Sequence, residues 1–127
     1  MVETRITDGR RIAELLASEL DGREDGTLES TRVTNADGDV EPTADGARAY
    51  DVTVSDERIA RVFVHEDRAR LEFEVGQDVA AETATDLELR VRPKATEPPR
   101  TLVFLESGAA TKRGSDVVQA VTRSLSE

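Results

Sequence analysis

Between Ala47 and Val75 the chain alternates apolar and polar residues in three successive runs separated by short polar turns. Ala47 to Ser55 places Tyr50, Val52 and Val54 on one side, and Arg58 to Val64 does the same with Ala60, Val62 and Val64. Arg68 to Val75 aligns Ala69, Leu71, Phe73 and Val75. A period of two puts alternate residues on one face only in a strand. The connecting turns, Ser55-Asp56-Glu57 and His65-Glu66-Asp67, are too short for a crossover, so the runs must pair as an antiparallel meander. A sheet with one apolar face needs a covering layer, and the rest of the chain has to supply it.

Asp8 to Leu20 reads as an amphipathic helix, with Ile12, Leu15, Leu16 and Leu20 at helical spacing and Ala13 and Ala17 widening the stripe. Thr7 or Asp8 caps its start and Gly22 stops it. The segment Gly22 to Gly26 is a polar loop. Thr27 to Asn35 predicts an edge strand, its two large apolar residues, Leu28 and Val33, falling on opposite faces. Residues 35–46 (NADGDVEPTADG) are dominated by turn formers and predict a mobile acidic loop.

Gln77 to Thr85 is alanine-rich and predicts a short helix across one sheet face. Leu87, Leu89 and Val91 alternate with charged residues, a strand that Pro93 should stop. Thr101 to Leu105 is apolar on both sides, as expected of a strand covered on both faces. Ser115 then caps a helix carrying Val117, Val118, Val121 and Leu125 on one side. The expectation is one α+β domain over residues 1–127, a mainly antiparallel sheet of five to six strands with helices at both chain ends and a short helix between strands, in the order αββββαββα. This order resembles that of the small type III secretion chaperones, which are acidic, compact and dimeric.

Charge bounds the function. The chain has 27 carboxylates against 17 cations, a formal net charge of −10, and its cations are fifteen arginines with only Lys94 and Lys112. Carboxylates hold water and hydrated cations, while arginine pairs with them as a planar, weakly hydrated fork. Self-repulsion in such a chain destabilises the compact state unless salt screens it. In composition it resembles the small acidic cytosolic proteins of haloarchaea, including those domains whose function is unknown. The core material is thin, with fifteen Ala and fourteen Val against ten Leu, three Phe and no Trp. No apolar run approaches the roughly 20 residues that span a bilayer, and MVETRITDGRR lacks the apolar stretch of a signal peptide. A soluble, cytoplasmic protein with no membrane role is expected. The scattered arginines also argue against nucleic acid, which needs a concentrated basic face.

Catalytic equipment is sparse. There is no cysteine, and His65 is the only histidine. It is expected at an exposed turn tip, and no Gly-x-Ser-x-Gly elbow accompanies it. Asp37, Asp39 and Glu41 alternate like a calcium loop, but neither register puts glycine at the sixth and glutamate at the twelfth position. Gly108 to Ser115 (GAATKRGS) lacks the lysine directly before Ser that a phosphate cradle uses. Asp116 would instead favour the helix dipole. Glu72 and Glu74, with Arg61, Arg70, Arg90 and Arg92, are expected to share the solvent side of the sheet as cross-strand ion pairs. No catalytic, cofactor-binding or metal residue is assigned.

Two features survive. If Ala60, Val62 and Val64 face the helices, Ile59 and Phe63 face the other way, joined by Leu102 and Phe104 or else by Val103 and Leu105. Such a second apolar face is expected either beneath a helix or at an interface, with Ile59, Phe63, Leu102 and Phe104 as candidate interface residues of a homodimer or an unidentified protein partner. Arg90, Arg92 and Lys94 form the one locally basic stretch and are candidate anion-binding residues. A non-enzymatic, protein-binding or self-associating module is the expectation. An anion- or small-molecule-binding regulatory domain is one alternative, and a cofactor-independent enzyme built from carboxylates and arginines is another.

Overall fold

The computed structural model describes residues 8–21 and 31–125, so the readings at Thr7, Leu28, Gly22 and Gly26 lie outside the described residues. The three alternating runs form β2 (Ala47–Val54), β3 (Glu57–Val64) and β4 (Ala69–Phe73), paired antiparallel in sequence order. Before them come α1 (Gly9–Asp21) and β1 (Thr31–Thr34), and after them α2 (Gln77–Asp86), β5 (Arg90–Lys94), β6 (Arg100–Leu105) and α3 (Thr111–Leu125). The order αββββαββα and the α+β class are those expected. All six strands make one antiparallel sheet in the order β1-β2-β3-β4-β6-β5.

Asp8 caps α1, its Oδ1 accepting the Arg11 amide at 3.2 Å. The helix then buries Ile12, Ala13, Leu16 and Leu20. α3 buries Val117, Val118 and Val121, and the short α2 contributes Ala80 and Ala84. These residues form a single core with Val52, Val62, Val64, Leu71, Phe73, Val103 and Leu105 of the sheet. α3 packs against both other helices, and α2 also rests on β5 and β6. The three helices thus share one sheet face. Burying a Val or Leu side chain contributes about 1.5–3 kcal/mol each, so stability comes from many small contributions.

Some boundaries differ from the sequence reading. The strand expected to start at Leu87 begins at Arg90, because the end of α2 captures the preceding amides: Leu87 donates to Thr83 O, Glu88 to Thr85 O and Leu89 to Ala84 O. Pro93 lies inside β5 instead of ending it. That strand is at the sheet edge, where a missing N–H is tolerated. α3 begins at Thr111, after a 3₁₀ turn at Gly108–Ala110, and not at Ser115. Ser115 is fully buried and its hydroxyl donates back to Lys112 O at 2.8 Å, so it caps nothing. Asp116 consequently lies beyond the first turn, and its assigned role at the helix dipole lapses. Leu125, expected on the buried stripe, is exposed.

The largest local departure is at Ile59. Val52 pairs with Ala60 but Thr53 pairs with Arg58, leaving Ile59 as the extra residue of a β-bulge. A bulge bends the strand and re-aims its side chains. Ile59 is fully buried and belongs to the helix-side core, so it does not join Phe63 on the second face as expected. A second irregularity, at Ala49, likewise adds a small residue to that core.

Candidate interaction surface

No helix among the described residues covers the other face of the sheet. Cross-strand partners project to the same side, so the register draws rows across this face. One row runs Arg48, Phe63, Arg70, Phe104, Arg90; the next runs Asp51, Arg61, Glu72, Leu102, Arg92. Arg100 pairs with Lys94 two residues further along, and Arg32 and Arg58 both pair with Thr53. Counting Arg68, whose guanidinium reaches Phe104, ten of the fifteen cations among the described residues lie on this one face. Among the described residues they meet five carboxylates, Asp51, Asp67, Glu72, Glu74 and Glu106, although the chain has 27. A chain of net charge −10 thus has one cationic side.

Glu72 is the hub of this face. It lies on the uncovered side and yet has no exposure, because arginines close over it. Arg70 Nε and Nη2 donate to its Oε2 at 2.8 and 2.6 Å, and Arg100 Nη1 donates to Oε1 at 3.1 Å. Lys94 Nζ is 3.7 Å away. Burial alone would raise the carboxyl pKa, but the hydrogen bonds from Arg70 and Arg100, with the charges of Arg70 and Lys94, outweigh it and hold the pKa below the usual glutamate value. A carboxylate so held stays ionised and is a poor proton donor.

Around this hub the remaining acids are shared. Glu74 Oε1 lies 3.1 Å from Arg58 Nε and 3.0 Å from Arg61 Nε. Asp51 lies 3.4 Å from Arg48 and 3.9 Å from Arg58, and accepts Asn35 Nδ2 at 2.9 Å. The aromatic rings are roofed by guanidinium groups: Arg70 lies 4.5 Å over Phe63, and Arg68 and Arg90 lie 5.7 and 5.3 Å over Phe104. Phe104 is buried and Phe63 and Leu102 are half-buried. Val103 and Leu105 belong to the core, so of the two alternatives left open in β6 it is Leu102 and Phe104 that face this way. The surface is a cation-covered apolar strip, not a bare one.

His65 corrects its expectation of exposure, being only 4 % exposed. Its Nδ1 lies 3.0 Å from Ala44 O and its Nε2 lies 2.9 Å from Arg70 Nη1. Arginine can only donate, so Nε2 is the acceptor and Nδ1 carries the proton given to Ala44. Burial first, and then the charges of Arg68 and Arg70, lower its pKa against the opposing Ala44 bond and Asp67. The same Arg70 Nη1 donates to Asp45 O at 2.8 Å. The acidic loop 35–46 is therefore tied to the sheet here, as well as by Thr43 N to Val64 O, Asp37 N to Ala49 O and the buried Val40. Gly46 has φ +92°, and a Cβ there would come within 2.4 Å of Arg70 Nη1.

Arg90, Arg92 and Lys94, one from each successive cross-strand row, form a row of their own along edge strand β5. Arg90 leans on Phe104 and lies 3.6 Å from Glu106; Lys94 reaches Glu72; Arg92 is exposed and has no anionic partner among the described residues. The sequence had placed Arg61, Arg70, Arg90 and Arg92 on this side. It missed Arg32, Arg48, Arg58, Arg68 and Arg100, of which Arg100 was legible as the residue two before Leu102. On the other side, a pocket of about 190 Å³ beside α1 is lined mainly by apolar residues, including Ala13, Ala17, Val40 and Tyr50. Tyr50 Oη donates to Ala13 O at 2.7 Å, and burial, then the charge of Asp21, raises its pKa, so it stays protonated. Among the described residues no three His, Asp or Glu side chains converge as a metal site, and no helix is long and apolar enough to cross a membrane.

Fold and face together define an α+β layered domain with one sheet face under three helices and the other carrying an arginine-rich ion-pair lattice. The chain belongs to a family of unknown function (DUF7993), which it matches over residues 1–127. No curated protein and no solved structure matches the chain, so the resemblance to secretion chaperones rests on element order alone.

Proposed function

We propose that the protein is a non-enzymatic interaction module of a high-salt cytoplasm, and that it docks an anionic partner on the open face of its sheet. One observation carries this reading: among the described residues, ten cations meet five carboxylates on a face that no helix covers, in a chain of net charge −10. Solvent adaptation favours acids everywhere, so a cationic patch runs against it and needs another cause. At molar salt the Debye length is about 3 Å, which removes long-range steering and leaves direct contacts. Guanidinium–carboxylate contacts are planar, two-pronged and weakly hydrated, and so suit that regime better than lysine.

A homodimer through this face is less well supported than a different partner. A two-fold axis would set each cationic face against its own copy, and like-charge contact opposes association. The enzyme alternative draws little support, since Glu72 is locked as a carboxylate and Tyr50 as a phenol. An anion-binding role for Arg90, Arg92 and Lys94 fits within the proposed reading as its most accessible part. The reading is tested by affinity capture at molar salt with the wild-type protein and with Arg90→Glu/Arg92→Glu as parallel baits. Acidic proteins retained by the first and lost by the second are expected. Identical captures from both baits would remove the open face as the docking surface.

A further inference from the structure

We infer that the occupant of this face is an extended protein segment with Asp or Glu at every second position, lying along β5 and read by Arg90, Arg92 and Lys94. The inference rests on the cationic docking face just proposed and specifies its ligand. Same-side residues of a strand are about 6.6 Å apart, and so are alternate side chains of any other extended chain. A segment parallel to β5 therefore brings one carboxylate to each of the three cations in register. Arg92 gives the row its vacancy, exposed between two partly engaged neighbours and without an anion among the described residues. Leu102, its cross-strand partner, is half-buried beside it and offers the aliphatic part of a Glu side chain a contact.

The segment docks on the face and does not add a strand to the edge. Pro93 lies in β5 and has no N–H, which interrupts the donor series that strand addition needs. A single-stranded nucleic acid has comparable phosphate spacing but gains most from stacking bases on aromatic platforms. Here the platforms are taken: guanidinium groups of Arg68 and Arg90 lie over Phe104, and that of Arg70 lies over Phe63. A helical acidic segment would present carboxylates about 5.4 Å apart along its axis, short of the row's spacing of about 6.6 Å, and would drift out of register across three cations.

Fluorescence anisotropy on the full chain in molar potassium chloride tests this with three labelled probes: a peptide of strictly alternating Asp and Thr, a block isomer of the same composition, and oligothymidylate. The alternating peptide is expected to bind at least about tenfold tighter than its block isomer. Arg92→Gln should reduce that affinity about tenfold, while Lys112→Gln, on α3, should leave it unchanged. Equal affinity for the two peptides would overturn the register argument while leaving the cationic docking face standing. Binding of neither peptide would overturn both readings, and tighter binding of oligothymidylate would replace the protein segment with a nucleic acid. Since Arg92 has no anionic partner among the described residues, its variant is expected to keep the wild-type melting temperature, so lost binding would report the contact itself.

Discussion

At the scale of single residues, the buried polar set on and behind the open face makes stability fall with acid in two steps. His65 has a lowered pKa in the native chain, so below about 6.5 the unfolded chain holds a proton that the folded one does not. Its contribution is complete above that value and is lost as pH falls from there through the lowered value of the folded chain. Glu72 is lowered too, so its contribution is complete above the ordinary range near 4.5 and is lost as pH falls further. Denaturant titrations across pH at constant high salt should show both declines. His65→Asn should remove only the upper one, and an unchanged slope between pH 5 and 7 would show that the imidazole is not the group titrating. Glu72→Gln should cost about 3–5 kcal/mol, because it leaves buried Arg70 and half-buried Arg100 facing no charge. Gly9 is a different kind of constraint. A Cβ there would lie 1.8 Å from His65 O and 2.5 Å from Arg68 O, where the start of α1 meets the β3–β4 turn. Gly9→Ala should therefore cost about 1–3 kcal/mol despite its higher helix propensity, as read by the denaturation midpoint.

At the scale of elements, strand periodicity was a good guide where strands are regular and a poor one where they bulge. Alternation from Ala47 to Phe73 placed Val52, Val62, Leu71 and Phe73 in the core, where they are. It failed at Ile59, because one extra residue between Arg58 and Ala60 shifts the phase, and no side-chain pattern announces it. Ile59→Ala should destabilise by about 2–5 kcal/mol, as a filled core site does. Phe63→Ala, on the half-buried guanidinium-roofed side, should cost less. Thermal melts of the pair would decide the assignment, since comparable losses would put both on the same kind of surface. Helix ends were the other weak point. The Gly108-to-Ser115 stretch reads as a loop before a capped helix, yet it is already helical from Thr111, because Gly114 lets the helix approach Leu105 and the contact outweighs glycine's poor propensity.

At the scale of the whole molecule, the charge is divided between two sides, and salt acts differently on each. Repulsion among the carboxylates should make the melting temperature rise steeply from about 0.1 M to molar potassium chloride, while sucrose at equal osmolality should not substitute for it. A salt-independent melting temperature would count against adaptation to a saline cytoplasm. The sequence by itself determined the meander, the element order, the acidic solvent-facing chemistry and the absence of cysteine chemistry, because these follow from local period and composition. Only the tertiary structure decided that β6 enters between β4 and β5, since strand order depends on contacts distant in the chain. That single insertion sets Arg100 and Lys94 against Glu72 and lays Arg90 over Phe104. Arginines scattered through the sequence thereby converge on one face, which no reading of linear spacing could assemble.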